Sequence, residues 1–390
     1  MRELLDWTRG RQAEMTGLLR EIVEIESPSD HPPGVQALAA RLAEPLGALG
    51  LQVEQVPVAG AGPILRARTP GAARPVMLLG HLDTVWPVGT VAKRPVRIEG
   101  ERLLGPGAYD MKGGLVVALF ALRALQARGQ RVPVTAFFTP LEEVDCGPYC
   151  ELMKSEMRAS AAVLDFEPAW PGGAVKTERK GSGSYRLTAH GIASHAGADL
   201  SRGANAILEL ARVCLEASAL TDPERGVSAN VGVFHGGLRS NVVPDLASAE
   251  IDVRFRTLRD GQALERSLQA LRPGDQRVRL TFEGGMHYPP LERTPEVVRV
   301  FSAAREVARE MGFDLDEVST GGASEASFAG ALGLPTLDGL GPDGDGAHAL
   351  DEHVLLPSLP VRAALTAGLL LRLTATDVKP SARPAHVRPW

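Results

Sequence analysis

Cysteine is scarce in this chain, which has three cysteines among its 390 residues. Cys146, Cys150 and Cys214 are an odd and sparse set, so a framework of disulfide bonds is excluded. Cys146 and Cys150 form a single C-x3-C pair, whereas a zinc site built from thiolates normally needs a second pair. We therefore interpret the three cysteines as buried structural thiols.

Long apolar runs are also missing from the sequence. No segment reaches the roughly 18 uninterrupted apolar residues that a membrane-spanning helix requires, so we expect no membrane association. The N-terminal stretch 1–25 is interrupted throughout by Arg, Glu and Asp. This pattern predicts one amphipathic helix and not a signal peptide, and we accordingly expect the protein in the cytoplasm.

Neither sign of charge dominates the chain. It has 42 Lys and Arg against 47 Asp and Glu, a formal net charge of −5 at pH 7. Because no basic stripe is present to follow a phosphate backbone, nucleic acid is not an expected partner, and a small-molecule substrate is. With 44% hydrophobic and 23% charged residues the composition is that of a globular protein, and its length predicts two domains.

Short apolar runs alternate with helical patterns in the first half of the chain. A helix at 35–49 and a strand at 52–58 precede two runs of branched residues, 75–79 and 133–138, which predict buried strands. Between those runs, the segment 111–129 is apolar on nearly every side of a helical wheel, which indicates a helix packed deep against a sheet. This alternation predicts an α/β fold with a mainly parallel sheet flanked by helices.

The pattern changes near residue 178. From there the sequence predicts, in order, a strand at 183–190, a helix at 204–217, strands at 227–235 and 247–255, a helix at 262–271 and a strand at 278–283. The βαββαβ order is that of a ferredoxin-like unit. We place the buried stripe of the helix at 204–217 on Ala204, Ile207, Leu208, Ala211 and Leu215. The predicted division is a large domain in two parts, 1–178 and 291–378, an inserted small domain, 179–290, and a loose C-terminal tail, 379–390.

Polar residues interrupt the apolar pattern where a strand has just ended or a helix is about to begin. His81 and Asp83 follow the run 75–79 and are spaced to share one face of an extended chain. The other residues of this kind are Asp110, Glu142, Glu143, Glu167 and His348. Since an open α/β sheet places its site at the carboxyl ends of its strands, we expect these side chains to converge.

Two histidines and three or four carboxylates, without a thiolate, exceed the needs of one tetrahedral zinc. They fit two divalent cations about 3.5 to 4 Å apart, a pair that activates water and polarises a carbonyl, so amide hydrolysis follows. Each residue alone has a simpler interpretation. Asp110 fits a helix N-cap, Glu142 and Glu143 fit a solvated turn, and a single histidine is most often structural.

The motifs GHLDTV, GAYDMKGG, LEE, FEP, SHAG, SNVVP, TGGASEA and GDGAHALDEH occur in this order between about residues 15 and 372. Together they resemble the zinc-dependent aminoacylase and carboxypeptidase family, which includes glutamate carboxypeptidase, acetylornithine deacetylase and succinyl-diaminopimelate desuccinylase. The glutamate carboxypeptidase branch is the most similar. The resemblance implies a catalytic domain, an inserted lid domain, two zinc ions and a homodimer formed through the lid.

Roles at the metal centre follow from this resemblance. Glu142 corresponds to the general base, and Asp83 to the residue that orients a histidine ligand through its second ring nitrogen. Asp165 precedes Glu167 on the same strand face, so an exchange of roles between these two stays open. The metal ligands that the resemblance implies are His81 and Glu167 on one zinc, Glu143 and His348 on the other, and Asp110 between both.

The resemblance also implies substrate contacts outside the metal centre. His195 corresponds to a lid residue that reaches the active site of the partner subunit and stabilises an oxyanion, with a structural role as the alternative. Asn241 corresponds to a lid residue near the substrate. Arg254 corresponds to the arginine that binds a substrate carboxylate, and the alternative is a surface strand residue. Gly321 and Gly322 would let backbone N–H groups approach that carboxylate.

Two features depart from the family pattern. Glu325 stands where the family usually has Asp, which puts the substrate specificity in doubt, and the turn VDCG after the catalytic pair differs from the commoner small-residue turn. The predicted function is a carboxypeptidase-type metallohydrolase that releases a C-terminal amino acid, with glutamate as the candidate, using zinc, cobalt or manganese. The alternatives are an N-acyl amino acid deacylase and a non-catalytic metal-binding protein. Ser182 lacks the strand-to-helix context of a serine nucleophile.

Overall fold

The computed structural model describes residues 1–375, so the predicted tail, 379–390, lies outside the described residues. The α-helices are α1 Arg2–Arg9, α2 Gln12–Glu24, α3 Pro32–Ala48, α4 Thr90–Lys93, α5 Gly113–Ala127, α6 Cys150–Ala159, α7 Ala206–Ser218, α8 Leu258–Gln269, α9 Pro295–Met311, α10 Ala326–Ala331 and α11 Ser358–Ala375. The β-strands are β1 Gln52–Val56, β2 Ile64–Arg68, β3 Val76–His81, β4 Arg97–Glu99, β5 Arg102–Leu104, β6 Val134–Thr139, β7 Ala162–Asp165, β8 Val175–Arg179, β9 Gly181–His190, β10 Ser194–His195, β11 Ser228–Gly236, β12 Val242–Val243, β13 Leu246–Phe255, β14 Arg279–Tyr288, β15 Glu317–Thr320, β16 Thr336–Leu337, β17 Gly344–Asp345 and β18 His353–Leu355.

The described chain divides into two compact units. Among the described residues, the larger unit contains residues 1–178, 293–319 and 324–375, and the smaller unit contains residues 179–292 and 320–323. The short segment 320–323 therefore belongs to the smaller unit, although the sequence analysis placed it in the second part of the large domain. Each unit has its own cluster of buried apolar side chains, so each has a separate hydrophobic core.

A six-stranded sheet in the order β1-β2-β6-β3-β7-β16 forms the centre of the larger unit. The pairs β6-β3, β3-β7 and β7-β16 are parallel, while β1-β2 and β2-β6 are antiparallel. The predicted α/β fold with a mainly parallel sheet is thus confirmed. Strands β3 and β6 are buried at every position, as expected for strands covered on both faces.

Helix α5 is the deeply packed helix that the apolar wheel predicts. Nearly all of its residues from Gly113 to Leu125 are buried. At Gly114 an added Cβ would lie 2.0 Å from the backbone oxygen of Phe166, so this position requires glycine. The missing side chain lets the start of α5 approach the end of β7 closely, which brings the residues before α5 next to those after β7.

The expectation of one N-terminal helix is wrong, because the segment folds as two helices. Helix α1 ends before Gly10, and Arg11 leaves the helical region with φ −115° and ψ 8° before α2 begins. Glycine has a low helix propensity, which accounts for the break at this point. Both helices are amphipathic as predicted, since Leu4 and Leu5 in α1 and Leu19 in α2 are buried.

The larger unit also contains a small antiparallel sheet in the order β17-β18-β5-β4, which the sequence analysis did not anticipate. Its strands have two or three residues each, too few for a periodic pattern to appear in the sequence. Strand β18 pairs with β5, so the loop between β17 and β18 lies beside the turn that follows β5.

The smaller unit has the element order β9-α7-β11-β13-α8-β14, with the short strands β10 and β12 as an addition. Its antiparallel sheet has the order β11-β13-β9-β14, and α7 and α8 pack on it. The stripe assigned to the first helix is wrong at its two leucines, whereas Ala204 is buried and Ile207 packs against the core. Leu208 and Leu215 are 66% and 74% exposed. The face that packs on the sheet consists of Ala206, Leu210, Val213, Cys214 and Ala217.

Candidate active site

Three neighbouring parallel strands place polar residues at one edge of the larger unit's sheet. His81 ends β3 and lies opposite Thr139, the last residue of β6, while Leu79 lies opposite Asp165 at the end of β7. The chain segments that follow these strands carry Asp83, the pair Glu142 and Glu143, and Glu167. Because parallel strands end at a common edge, these side chains meet.

His81 lies at the centre of one group of carboxylates. Its Nε2 atom is 3.3 Å from Oδ1 of Asp110, 3.4 Å from Oε1 of Glu167 and 4.0 Å from Oε2 of Glu142. The imidazole is 1% exposed, so solvent does not screen these contacts. The Nε2 atom of His81 is thus a buried nitrogen that faces three carboxylate oxygens, and all four atoms are of the kind that bind metal ions.

His348 lies in a second group that shares Asp110 with the first. Its Nε2 atom is 3.4 Å from Oδ2 of Asp110 and 3.1 Å from Oε2 of Glu143. The two oxygens of Asp110 therefore face two different histidines. The backbone of His348 has φ 61°, the left-handed region that non-glycine residues rarely adopt, and such strained positions cluster at functional sites.

The donor set fits divalent cations. Groups of side chains whose ligand atoms lie within 4.8 Å of one another are His81 with Glu142 and Glu167, and His81 with Asp110 and Glu143. Within residues 1–375, buried atoms of this cluster that have no hydrogen-bond partner are His81 Nε2, Asp110 Oδ1 and Glu143 Oε1. Buried polar atoms normally have a partner, so these atoms fit the binding of a cation.

The pKa values of the cluster reflect crowded, buried charge. Burial raises the pKa of the Glu142 carboxyl well above its ordinary value, and the nearby carboxylates raise it further. Ion pairs with Asp110 and Glu143 raise the pKa of His348 to about 10. Burial opposes the protonation of His81, but the interaction with its carboxylate neighbours outweighs burial and raises the pKa of that imidazole. The crowded carboxylates thus disfavour the ionised form of Glu142 and favour the cationic form of both imidazoles.

Asp83 contacts three residues of this centre. The Nδ1 atom of His81 is 3.0 Å from the backbone oxygen of Asp83 and 3.4 Å from its carboxylate, so Nε2 faces the carboxylate cluster. The carboxylate of Asp83 also accepts hydrogen bonds from the backbone N–H groups of Glu142 and Glu143 at 3.1 and 3.2 Å. The hydroxyl of Ser29 donates to it at 2.6 Å. Asp83 thus fixes a histidine and both glutamates together.

Glu352 is a buried residue of the site that the sequence analysis quoted within a motif but did not single out. Its Oε1 atom accepts hydrogen bonds from the backbone N–H groups of Tyr109 and Asp110, at 3.0 and 3.1 Å. Its Oε2 atom accepts from the N–H of Gly107 at 2.8 Å and from the indole of Trp86 at 2.7 Å. Glu352 follows His348 by four residues, and this spacing is the only sequence signal for it.

One further contact concerns Glu167, a carboxylate of the cluster. Lys176 places its Nζ atom 3.8 Å from Oε2 of Glu167, and both side chains are nearly buried. The sequence analysis did not anticipate this lysine, which no motif includes. Among the described residues, the groups that could hold a cation include Glu167 and not Asp165. That geometry favours Glu167 over Asp165 in the proposed ligand set.

Glu325, one of the two departures from the family pattern, binds residues on either side of the other departure, the turn VDCG at 144–147. The hydroxyl of Tyr149 donates a hydrogen bond to Oε1 of Glu325 at 2.6 Å, and the hydroxyl of Thr139 donates to Oε2 at 2.8 Å. Burial raises the pKa of Glu325 to about 8, although both hydrogen bonds oppose the shift. Cys146 is buried and Cys150 is half-buried, and both are free thiols.

The smaller unit brings His195 and Asn241 together. His195 pairs with Val242 between β10 and β12, and the backbone N–H of Ala196 donates to the backbone oxygen of Asn241 at 3.0 Å. The exposed imidazole of His195 accepts N–H hydrogen bonds at Nδ1 from Gly197 and Ala198, both at 3.1 Å. Neutral His195 therefore carries its proton on Nε2, which leaves that N–H available as a donor.

Arg254 already has a partner in the same unit. Its guanidinium makes a two-point contact with the carboxylate of Asp252, at 3.0 and 2.9 Å. The side chain of Arg254 is 35% exposed, so the contact is open to exchange. Arg179, which the sequence analysis missed, donates to the backbone oxygens of Gly322 and Ala323 at 3.2 Å. An added Cβ at Gly321 would meet open space, so packing does not require glycine there.

Comparison with known proteins is consistent with this geometry. Carboxypeptidase G2 of Pseudomonas sp. strain RS-16 is 29% identical over 369 residues, covering 92% of this chain and 88% of that protein. Succinyl-diaminopimelate desuccinylase of Cereibacter sphaeroides is 30% identical over 313 residues, covering 73% of this chain and 79% of that protein.

Solved structures share the fold. A metallo-carboxypeptidase of the M20 family from Sulfolobus solfataricus has a TM-score of 0.73 at 18% identity, covering 93% of this chain and 100% of that chain. Aminopeptidase PepT from Bacillus cereus has a TM-score of 0.75 at 19% identity, covering 93% and 98%. Residues 77–372 match the model of peptidase family M20/M25/M40. Because this match spans most of the chain, the protein belongs to that family.

Proposed function

We propose that this protein is a metal-dependent exopeptidase of the carboxypeptidase type, which hydrolyses the amide bond between an acyl or peptidyl group and a C-terminal amino acid. The observation that carries this proposal is the position of Asp110 between His81 and His348, with Glu142 against the same cluster. The similarity to carboxypeptidase G2 supports the same reaction. Glutamate is the first candidate for the released amino acid, because the motifs most resemble glutamate carboxypeptidases.

Two zinc ions are the proposed cofactors, and cobalt or manganese suits the same donors. His81 and Glu167 would hold one ion, Glu143 and His348 the other, and Asp110 both. When bound, such a pair polarises a substrate carbonyl and lowers the pKa of a water between the ions. The unpartnered buried atoms of His81, Asp110 and Glu143 support this assignment.

Glu142 is the proposed general base and acid. Its carboxyl lies in the cluster, 4.0 Å from the imidazole of His81, and its backbone is held by Asp83. Glu142 accepts the proton of the attacking water and later donates it to the nitrogen of the leaving amine. Asp83 orients His81 and keeps Glu142 in place during both transfers.

Five residues of the smaller unit, which includes the segment 320–323, are proposed to act on the substrate. The Nε2–H group of His195 donates to the oxyanion of the tetrahedral intermediate in the active site of the partner subunit. Arg254 exchanges Asp252 for the substrate carboxylate, which its planar guanidinium fits in a two-point contact. The other proposed substrate contacts are the side chain of Asn241 and the backbone of Gly321 and Gly322.

The proposed assembly is a homodimer formed through the smaller unit. This unit exposes large apolar side chains on several of its elements, and such side chains mark an interaction site where they form one contiguous patch. Leu238 is 96% exposed and the two misassigned leucines of α7 are more than half exposed. The exposed set of this unit is Ile192, Leu200, Leu208, Leu215, Val233, Phe234, Leu238, Val242 and Leu246.

The cytoplasm is the proposed compartment. All three cysteines are free thiols, which suits a reducing environment. Among residues 1–375 no helix has both the length and the apolar character to cross a bilayer. The proposed partners are accordingly a small-molecule substrate and a second copy of the chain.

A hydrolysis panel tests the proposed function. The purified protein is incubated with N-acyl and folyl glutamates and with short peptides, before chelation, after chelation and after zinc is added back. We expect release of the C-terminal amino acid that disappears on chelation and returns with zinc. Absence of release from the whole panel, or release that survives complete removal of metal, contradicts the proposal.

An N-acyl amino acid deacylase is the second candidate, because several relatives are succinyl-diaminopimelate desuccinylases. The chemistry at the metal centre is the same in both candidates, and only the acyl group and the amino acid differ. Acetylornithine and succinyl-diaminopimelate in the same panel separate them. A kcat/KM for these substrates above that for the glutamate conjugates favours the deacylase.

A further inference from the structure

Glu325 is a buried carboxylate that touches no member of the proposed ligand set through a hydrogen bond in the described structure. The residue is 2% exposed and directly precedes helix α10. Its two oxygens each accept one hydrogen bond, Oε1 from the hydroxyl of Tyr149 at 2.6 Å and Oε2 from the hydroxyl of Thr139 at 2.8 Å. These two hydrogen bonds fix the orientation of the Glu325 carboxylate and of the hydroxyls of Tyr149 and Thr139.

The partners of Glu325 mark the two ends of one loop. Thr139 is the last residue of β6 and Tyr149 directly precedes α6, so residues 140–148 connect them. This segment, called loop 140–148 here, carries Glu142 and Glu143. Its own turn is held by the N–H groups of Val144 and Asp145, which donate to the backbone oxygen of Leu141 at 3.2 and 3.0 Å.

Loop 140–148 has anchors outside itself. Val144 is 69% exposed, so the loop buries little apolar surface of its own at that point. Asp83 holds the backbone of Glu142 and Glu143 at the middle of the loop. Glu325 contacts the residues at both ends, which leaves the loop fixed at three places.

We propose that Glu325 is a positioning residue that holds both ends of loop 140–148 through Thr139 and Tyr149, and so sets the position of the base and of one metal ligand. The inference rests on the proposed function, since it assigns those roles to Glu142 and Glu143. It also gives a role to Tyr149, which directly follows the loop, because its hydroxyl is what the side chain of Glu325 reaches.

Hydrogen bonding and charge can be separated at this position. A hydroxyl group both donates and accepts, so Tyr149 and Thr139 can each bond one end of a glutamine amide. E325Q therefore keeps both contacts without an ionisable group, whereas E325L keeps the approximate volume and removes both contacts. Y149F removes one contact and leaves Glu325 in place.

The matched control is Y185F. Tyr185 lies in the smaller unit, and its hydroxyl also donates to a glutamate, Oε1 of Glu265, at 3.0 Å. The control thus removes the same kind of contact at a place with no proposed role. The readouts are kcat and KM for the best substrate of the panel, the affinity for zinc alone by chelator competition, and amide hydrogen exchange of residues 140–148.

We expect Y149F and E325L to lower kcat and zinc affinity by about 10- to 100-fold, as for other residues that orient a metal site, with KM unchanged. Exchange of the loop amides should become faster in both variants, while E325Q and Y185F should match the wild type. A loss in E325Q as large as that in E325L overturns the proposal, because it assigns the effect to the ionisable carboxyl and not to the two hydrogen bonds. Normal kcat, zinc affinity and exchange in Y149F overturn it as well.

Failure of the proposed function has a different signature. If the wild type hydrolyses no member of the panel, the proposed function fails. Zinc affinity and amide hydrogen exchange of loop 140–148 still test the positioning role of Glu325. If the wild type is active and Y149F equals Y185F in every readout, only the positioning role fails. Should E325L not fold, Y149F alone decides the outcome.

Discussion

The backbone N–H of Asp110 donates a hydrogen bond to Oε1 of Glu352 at 3.1 Å. This buried carboxylate accepts four hydrogen bonds in all, three from backbone N–H groups and one from an indole. In E352Q the amide nitrogen would face two of these N–H groups without being able to accept from them. Since Asp110 is the proposed shared ligand, we expect zinc affinity to fall by about 10- to 100-fold. Chelator competition measures this loss.

W86F is the control for the Glu352 prediction. It removes the indole donor at Oε2 and leaves the contacts of the other three N–H groups in place. Zinc affinity in W86F should stay close to that of the wild type. Wild-type affinity in E352Q would show that the turn holding Asp110 keeps its shape without the carboxylate.

Replacement of Glu142 should separate proton transfer from metal binding. E142Q keeps the size of the side chain but cannot accept the proton of water, so we expect kcat/KM to fall by about 10²- to 10⁴-fold. Zinc content, measured by atomic absorption, should stay near that of the wild type. E143Q is the comparison variant, because it should lose the metal ion that Glu143 and His348 are proposed to bind. Near-normal turnover in E142Q refutes the assignment of the base.

Elements with long periodic patterns were predictable from the sequence, and short ones were not. Strands β3 and β6 and helix α5 appear in the sequence as continuous apolar runs, because both faces of each are covered. The sheet that places Glu352 beside Asp110 has strands of two or three residues, which are too short for a pattern. Contacts such as Tyr149 to Glu325 join residues 176 positions apart, and a single sequence holds no signal for them.

Helix α7 shows why burial was misassigned in the smaller unit. Its leucines at 208 and 215 follow helical spacing, and so do the residues that face the sheet. Two apolar stripes on one helix cannot be ranked by periodicity alone, and the larger side chains suggested the wrong one. A second apolar face is expected where a helix also contacts another molecule, which agrees with the proposed dimer.

Arg254 should govern the preference for a free carboxylate. In R254A the substrate loses a charge-assisted contact of about 1.5 to 3 kcal/mol, so kcat/KM should fall roughly 10- to 150-fold. The kcat/KM for the same substrate with a C-terminal amide should change little. The ratio of kcat/KM for the acid to kcat/KM for the amide should therefore fall. D252N is the control, since it frees the guanidinium from its present partner. An unchanged acid-to-amide ratio in R254A makes that arginine structural.

Zinc binding should release protons. The ion pairs with Asp110 and Glu143 raise the pKa of His348 to about 10, so the metal-free protein carries this proton throughout the neutral range. A cation must displace it, and zinc affinity should therefore rise with pH, by about tenfold per unit for each proton released, until pH 10. Calorimetry in buffers of different ionisation enthalpy measures the number of protons. Affinity independent of pH between 6 and 8 contradicts this prediction.

The proposed role of His195 in the partner's active site can be tested by mixing two inactive variants. H195A keeps Glu142 and E142Q keeps His195, so a mixed dimer has one complete site only if His195 acts across the interface. Random exchange of subunits should then restore about a quarter of wild-type activity, because half of the dimers are mixed and half of their sites are complete. L238E in both chains is the control, since a charge on this exposed apolar surface should keep the subunits apart and prevent recovery. If the dimer forms by sedimentation equilibrium and mixing restores nothing, His195 acts within its own chain or not at all.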